Sequence, residues 1–396
     1  MAADGADAVL AINAGSSSLK FGLFRTAGGT GPALVARGKA EAGEGGRRLV
    51  ARDAKGAMLT DHRVAGDAAD GQALAKDLVE WSEAHLGASR LAGIGHRVVH
   101  GGGRHVAPVR IDDALLEALE ALTPLAPLHQ PGSLAPVRAL RRARPDLPQV
   151  ACFDTAFYHD IAPPASRIAL PRRYEEQGIR RFGFHGLSYE YIASRLAGTP
   201  LAEARTVVAH LGSGASLCAM RHGRSADTTM GFTALDGLVM VTRCGALDPG
   251  VLLYLQQTCG LSIGEVEHLL YKESGLLGVS GTTGDMQALL ASGAPEAAEA
   301  VDLFCFSIAR HAAAMANTLG GLDCLVFTGG IGEHAPAIRA RVGERLGWLG
   351  VAIDADANRA ARTEIGSGGS RVRVLVIPTD EELVIAGHTR DVLGHR

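Results

Sequence analysis

Residues 8–24 read AVLAINAGSSSLKFGLF. An apolar run stops at Asn13, gives way to small and polar residues through Ser18, and resumes with apolar residues at Leu19, Phe21 and Leu23. That is the pattern of a strand, a tight turn and a second strand. The pattern returns in the second half of the chain, where residues 207–220 read VVAHLGSGASLCAM, so the chain reads as two related halves. A third apolar run, Cys324-Leu325-Val326-Phe327, leads into a glycine turn, Thr328-Gly329-Gly330-Ile331-Gly332-Glu333, where glycines let a backbone approach a ligand closely. Between these strands, Leu115, Leu116, Leu119 and Leu122 have helical spacing, and the alanine-rich stretch 303–319 has the length of a helix. Pro124, Pro127 and Pro131 punctuate a loop. Strands alternating with helices predict an α/β fold. The glycine-rich interruptions at 28–31 and 43–46 read as hairpin tips or loops, and the domain boundary is expected near residue 155.

A chain of 396 residues is longer than one core normally supports, which predicts two domains. Hydrophobic residues make up 47% and charged residues 20%, with a formal net charge of −3. That balance gives no electrostatic reason to expect nucleic acid or an acidic membrane, and a small-molecule ligand is favoured. No cationic segment precedes the first apolar run, and no apolar stretch is long enough to span a bilayer. The expectation is a protein that is not exported and works in the cytoplasm. Cys152, Cys218, Cys244, Cys259, Cys305 and Cys324 are scattered without C-x-x-C spacing, as reduced residues of a cytosolic protein would be.

The two Gly/Ser turns, residues 13–18 and 212–216, can direct backbone N–H groups at a phosphate. Taken singly, such a turn is more often only a hairpin tip. Neither a G-x-x-x-x-G-K-[ST] loop nor a G-x-G-x-x-G after a strand occurs, which excludes P-loop and Rossmann sites. Lys20, on the second strand of the first hairpin, is placed to reach a phosphate in the turn, or to be a solvated strand lysine. Arg97 and Val99 alternate onto one strand face, offering a bidentate clamp beside an apolar wall; a surface arginine is the other reading. Arg243 lies in an apolar segment where an unpaired cation is costly, so an anionic partner or ligand is expected. Asp154 and His185 are polar residues in apolar or aromatic context, either functional or satisfied within the core. Finally, Pro378-Thr379-Asp380-Glu381-Glu382 follows an apolar run; it can hold Mg²⁺ or simply cap a helix.

In this order, residues 13–20, 96–102, 127–129, 153–157, 182–186, 230–232, 242–243 and 328–333 closely resemble the acetate kinase family, from residue 9 to about residue 390. The resemblance implies two duplicated ribonuclease-H-like, actin-like ATPase domains, with a nucleotide cleft between them and a homodimer as the assembly. Residues 1–155 with 384–396 would form one domain and residues 156–383 the other. It implies Mg²⁺-dependent transfer of the ATP γ-phosphoryl group to acetate or another short-chain carboxylate, with Mn²⁺ as an alternative metal. By that likeness Asn13 and Glu381 position the metal, and Ser16, Ser18 and Lys20 meet the ATP phosphates. His210, Leu211, Gly212, Ser213 and Gly214 line the nucleotide, with Asp285, Met286, Gln287, Gly330, Ile331, Gly332, Glu333 and His334. Arg97 and His129 bind the carboxylate, and Val99, Leu128, Phe184 and Ala234 border its acyl group. Asp154, His185 and Arg243 surround the phosphoryl group in flight. An ionised carboxylate needs no general base at neutral pH, so Asp154 is assigned to orienting the metal or the arginines.

Four positions depart from the family pattern. Ser213 replaces an asparagine, Gln287 an arginine, Asp380 an asparagine, and Ala234 a proline beside the acyl pocket. The last opens an alternative, a kinase preferring propionate or butyrate. A non-metabolic actin-like ATPase is the reading from another class; a buried arginine pair beside a small apolar pocket argues against it.

Overall fold

The computed structural model describes residues 7–15, 18–26, 31–43, 46–64 and 71–394. Ser16 and part of each glycine-rich interruption, 28–31 and 43–46, lie outside the described residues. Contacts divide the chain into unit 1, Met1–Ala156 with Asp380–Arg396, and unit 2, Phe157–Thr379.

Unit 1 is built on β1 (Asp7–Ala14), β2 (Ser18–Arg25), β3 (Ala33–Gly43), β4 (Gly46–Asp53), β5 (Met58–Val64), β6 (Arg90–Val98), β7 (Val109–Arg110) and β8 (Gln149–Phe153). They form one sheet in the order β5-β4-β3-β2-β1-β6-β8-β7. β1 pairs antiparallel with β2 and parallel with β6, which pairs parallel with β8. One face carries Ile12, Phe21, Leu23 and Ile94, buried with Leu78, Trp81 and Leu140 of helices Gly71–Ala84 and Gln130–Ala143. Each such large apolar side chain contributes about 1.5–3 kcal/mol on leaving water.

The opposite face holds a helix from the far end of the sequence, Glu381–Leu393, against β1, β2, β6 and β8. Glycine makes that contact close. A Cβ on Gly95 would lie 2.1 Å from Thr389 Oγ1, and one on Gly93 would lie 2.3 Å from Leu393 Cδ1. Side chains alternate along a strand, so the face of Gly93 and Gly95 is also that of Arg97. The helix thereby brings its first residue, Glu381, to Arg97 and Asn13.

Unit 2 has a sheet ordered β11-β10-β9-β12-β13, from β9 (Thr206–Leu211), β10 (Ala215–Arg221), β11 (Arg224–Thr228), β12 (Cys324–Thr328) and β13 (Arg373–Val376). β9, β10 and β11 are antiparallel neighbours, while β12 runs parallel to β9 and to β13. This repeats the arrangement β3-β2-β1-β6-β8 of unit 1, so the expected duplication is present in order and direction. Helix Pro295–Leu319 packs on one face. On the other, Tyr189 and Ile192 of helix Gly186–Leu196 are buried with Val208, Cys218 and Val326.

The run 328–333 differs from the glycine turn expected of it. Residues Gly329–His334 form a short helix, entered through Gly329 at φ +77°. A Cβ there would strike the Leu211 carbonyl at 2.8 Å, so only glycine lets β12 turn so tightly beside β9.

Candidate active site

In unit 1, Asn13 stands near the end of β1 and Arg97 near the end of the neighbouring β6. Arg97 donates to Asp154 Oδ2 from Nε at 3.0 Å and from Nη2 at 2.6 Å, and to Asn13 Oδ1 from Nη1 at 3.3 Å. The Asp154 side chain is fully buried and that of Arg97 nearly so. Burial alone opposes the Arg97 charge, but the carboxylates of Asp154, Glu381 and Glu382 more than offset it and raise the pKa. Asn13 faces the other way as well, donating Nδ2 to Glu381 Oε2 at 2.7 Å and Glu382 Oε1 at 3.1 Å. Burial, with Glu381 beside it, pushes the Glu382 carboxyl up from its ordinary value. Lys20 is the cross-strand partner of Asn13, on the same sheet face and exposed.

Of the two readings of the acidic cluster, the helix cap is observed. Asp380 caps the helix, accepting from Leu383 N at 3.0 Å, and pairs with Arg37 at 2.8 Å. Val99 is buried directly after β6, Leu128 is exposed, and His129 directly precedes helix Gln130–Ala143 without a capping bond from its side chain. Ser18 opens β2, where it pairs with Glu41.

In unit 2 a second cluster forms around Gly214, between β9 and β10. His185 precedes helix Gly186–Leu196 in a left-handed conformation, φ 59°. Its ring stacks on that of His210, with centroids 4.3 Å apart. Ser216 Oγ lies 2.8 Å from His185 Nδ1 and 2.6 Å from the Tyr189 hydroxyl, and Ser188 Oγ lies 2.8 Å from His210 Nδ1. Burial raises the Tyr189 pKa, so the phenol keeps its proton. When Tyr189 donates to Ser216 and Ser216 to His185 Nδ1, the imidazole proton sits on Nε2. That nitrogen is 3.2 Å, and Arg243 Nη2 3.4 Å, from where a Gly214 Cβ would lie. With that tautomer two donors flank the glycine that directly precedes β10. Arg243 also donates Nη1 to the Ala234 carbonyl at 2.7 Å, fixing its guanidinium. Ala234 and Phe184 are both buried, and the Phe184 carbonyl accepts from the Tyr158 hydroxyl.

The remaining residues expected at the nucleotide fall on three segments of unit 2. Leu211 is buried at the end of β9, Gly212 donates its N–H to the Gly214 carbonyl at 3.0 Å, and Ser213 is exposed. Asp285 caps helix Met286–Ala291 through Ala288 N, Met286 is buried and Gln287 exposed. Gly330, Ile331, Gly332, Glu333 and His334 belong to the short helix. Its glycine-rich sequence has little helical propensity, and two side chains hold it. Glu333 Oε1 accepts from Gly329 N at 3.0 Å and Thr379 N at 3.2 Å. Arg339, fully buried, donates to the carbonyls of Gly332 and Glu333, both at 2.8 Å, and to Asn358 through its side-chain and backbone oxygens.

Sequence reasoning did not single out Arg339, Tyr189 or Ser188, and it reached Ser216 only as the last residue of the second Gly/Ser turn. The only signal for Ser188 and Tyr189 is their helical spacing just after His185.

The pattern of the Acetokinase family matches residues 8–387. An acetate kinase of Rhodopseudomonas palustris is 50% identical over 390 residues, covering 96% of this chain and 97% of that protein. Another, of Rhizobium meliloti, is 47% identical over 97% of this chain and 98% of its own length. Among solved structures, a propionate kinase from Francisella tularensis superposes with a TM-score of 0.87 at 36% identity, covering 96% of this chain and 98% of that one. An acetate kinase from Porphyromonas gingivalis gives 0.81 at 33%, covering 98% and 100%.

Proposed function

The chain belongs to the Acetokinase family, and on that premise we propose that it transfers the γ-phosphoryl group of ATP reversibly to acetate, giving acetyl phosphate and ADP. The observation that carries the reading is the convergence of His185 Nε2 and Arg243 Nη2 on Gly214. A phosphoryl group passing between two anions needs fixed positive charge and alignment more than covalent help. Arg243, anchored on Ala234, and His185, oriented through Ser216, supply fixed donors of that kind.

Arg97 is assigned to the substrate carboxylate, with Asp154 holding its guanidinium planar to the site rather than acting as a base. Val99, Leu128, Phe184 and Ala234 are assigned to the acyl group and His129 to the carboxylate. Ser18, Lys20 and the segments around Gly212, Met286 and Gly332 are assigned to ATP. Mg²⁺, with Mn²⁺ as substitute, would be held by Glu381 and Asn13, and it would neutralise phosphate charge when bound. The donor set fits that ion. Mg²⁺ is usually held by one or two carboxylates together with substrate phosphates and water. Glu381 and Glu382 meet at Asn13, and no group of three His, Cys, Asp or Glu side chains able to hold a metal exists among the described residues.

Initial rates with ATP, Mg²⁺ and acetate, propionate or butyrate, with the acyl phosphate trapped by hydroxylamine, test the assignment. The largest hydroxamate yield is expected with acetate; none from any acid would overturn it. Propionate is the second reading, favoured by the small Ala234 and by the solved propionate kinase. One methylene is worth about 1–3 kcal/mol, so its rate is expected to be lower but measurable.

The assembly is assigned as a homodimer. Helix Pro249–Gln257 buries none of its own residues, and Leu253, Tyr254 and nearby Ile263 are 55%, 59% and 77% exposed. An apolar helix left so open is suited to a second copy. Leu253→Glu is expected to shift the sedimenting species from dimer to monomer, and an unchanged dimer would reject this surface. Cytoplasmic residence is proposed from six cysteines that are all free.

A further inference from the structure

A concavity of about 510 Å³ lies elsewhere in unit 2, within the size range of small-molecule sites. None of the residues lining it has a role above. One wall is the C-terminal half of helix Gly186–Leu196; the other is β13, the outermost strand of its sheet. Tyr191, Leu201, Leu375 and Ile377 give it a mostly apolar lining. Two guanidiniums reach it. Arg373 is neutralised by Glu364, whereas Arg195 makes no ion pair or hydrogen bond among the described residues.

We propose that this cavity binds a small organic monoanion with an apolar body, of the class of medium-chain carboxylates, as an effector of the enzyme. The lining selects that chemistry. A nucleotide would need several charge-assisted donors around its phosphates, and the cavity offers one unneutralised cation. Acetate has too little apolar surface to use the walls.

Both walls continue to residues of the active site. Helix Gly186–Leu196 begins next to His185, and its 11 residues make a rigid rod about 16 Å long. β13 continues through Ile377 and Pro378 to Thr379, whose N–H is held by Glu333, the same carboxylate that holds Gly329. A ligand seated between the helix end and β13 bears on both.

The effect on turnover rests on the acetate kinase reading, whereas binding does not, and the test separates them. Octanoate is titrated by calorimetry into the full-length protein and into Arg195→Gln and Leu201→Trp variants, then added to the hydroxamate assay. One saturable site is expected, weakened about ten-fold by Arg195→Gln through loss of a charged contact and abolished by the tryptophan that fills the cavity. Both variants keep their rate without octanoate, and octylammonium does not bind. In the assay, octanoate is expected to change the apparent KM for ATP about two-fold or more without competing with acetate, and to do so in the unsubstituted protein only. No binding at millimolar octanoate, or binding indifferent to both substitutions, overturns the site. Binding that follows the substitutions with no effect on rate overturns the effector role. A protein inactive on every short acid removes the kinase reading, while calorimetry still decides the site.

Discussion

Arg243 holds the Ala234 carbonyl with one end of its guanidinium and turns the other towards Gly214. If that second end faces the phosphoryl group, Arg243→Ala lowers kcat by about 10²–10³ while circular dichroism and melting temperature stay close to those of the parent. A folded variant with near-normal kcat would remove the assignment. Arg339 acts differently, because it touches only protein: four donated bonds, to the carbonyls of Gly332 and Glu333 and to Asn358. Arg339→Met leaves those acceptors buried and unmet, which is expected to cost about 3–5 kcal/mol of unfolding free energy. The KM for ATP should rise more than the KM for acetate. Denaturant titration with paired KM measurements checks this, and equal KM changes would show Arg339 to be structural alone. Arg97, Asp154 and Arg243 stood out in the sequence because a charge amid apolar residues demands a partner. Arg339 did not, since an arginine on a polar helix reads as solvated until the fold shows that its head is turned inward.

Between residues and the whole stands the contact of helix Glu381–Leu393 with β1 and β6. Gly95→Val would force at least one atom into Thr389 Oγ1 and Ile385 Cγ2, which now leave no room for a Cβ. Overpacking of this kind costs about 1–3 kcal/mol, and here it would also lift Glu381 and Glu382 from Asn13. A higher Mg²⁺ concentration for half-maximal rate is therefore expected alongside the loss of stability. An unchanged Mg²⁺ dependence would reject the assignment of Glu381 and Asn13 to the metal. The two hairpins were legible because a polar turn between apolar runs has little else it can be. Gly93 and Gly95 were not, because a glycine inside a strand announces close approach without naming what approaches. The short helix Gly329–His334 was misread as a turn for a related reason: glycine favours the turn locally, and Glu333 and Arg339 override that preference from outside the segment.

For the molecule as a whole, acid sensitivity follows from two histidines in unit 1. Burial depresses His96 and His100 to about 4 from the ordinary value near 6.5. Between those values the unfolded chain binds protons that the folded one does not, so the contribution of these histidines is constant above pH 7 and stability falls as pH drops through this window. The slope is about 1.4 kcal/mol per pH unit for each histidine. Glu382, whose pKa is raised, has the opposite sign: its contribution is lost as pH rises through the region just above its ordinary value. Melting curves from pH 7 to 5 should show the fall, and His96→Gln should make it shallower; an equal slope in the variant would mean that His96 is protonated in the fold. The fold class and duplication could be read from the sequence because strand order follows from repeated local patterns. The placing of residues 384–396 with the first domain comes from the family resemblance and from no local pattern, since none records a partner at such distance.

Helix Glu381–Leu393 imposes an order on synthesis. Asn13 meets Glu381 across a separation of 368 residues, whereas Phe157–Thr379 is one uninterrupted segment. On the ribosome the second unit has all its own strands before the first has its last helix, and contacts so remote in sequence are slow to form. Until residue 393 has emerged, the sheet face carrying Gly93 and Gly95 lacks the helix that covers it, so the earlier-born half of the molecule is the one that finishes last.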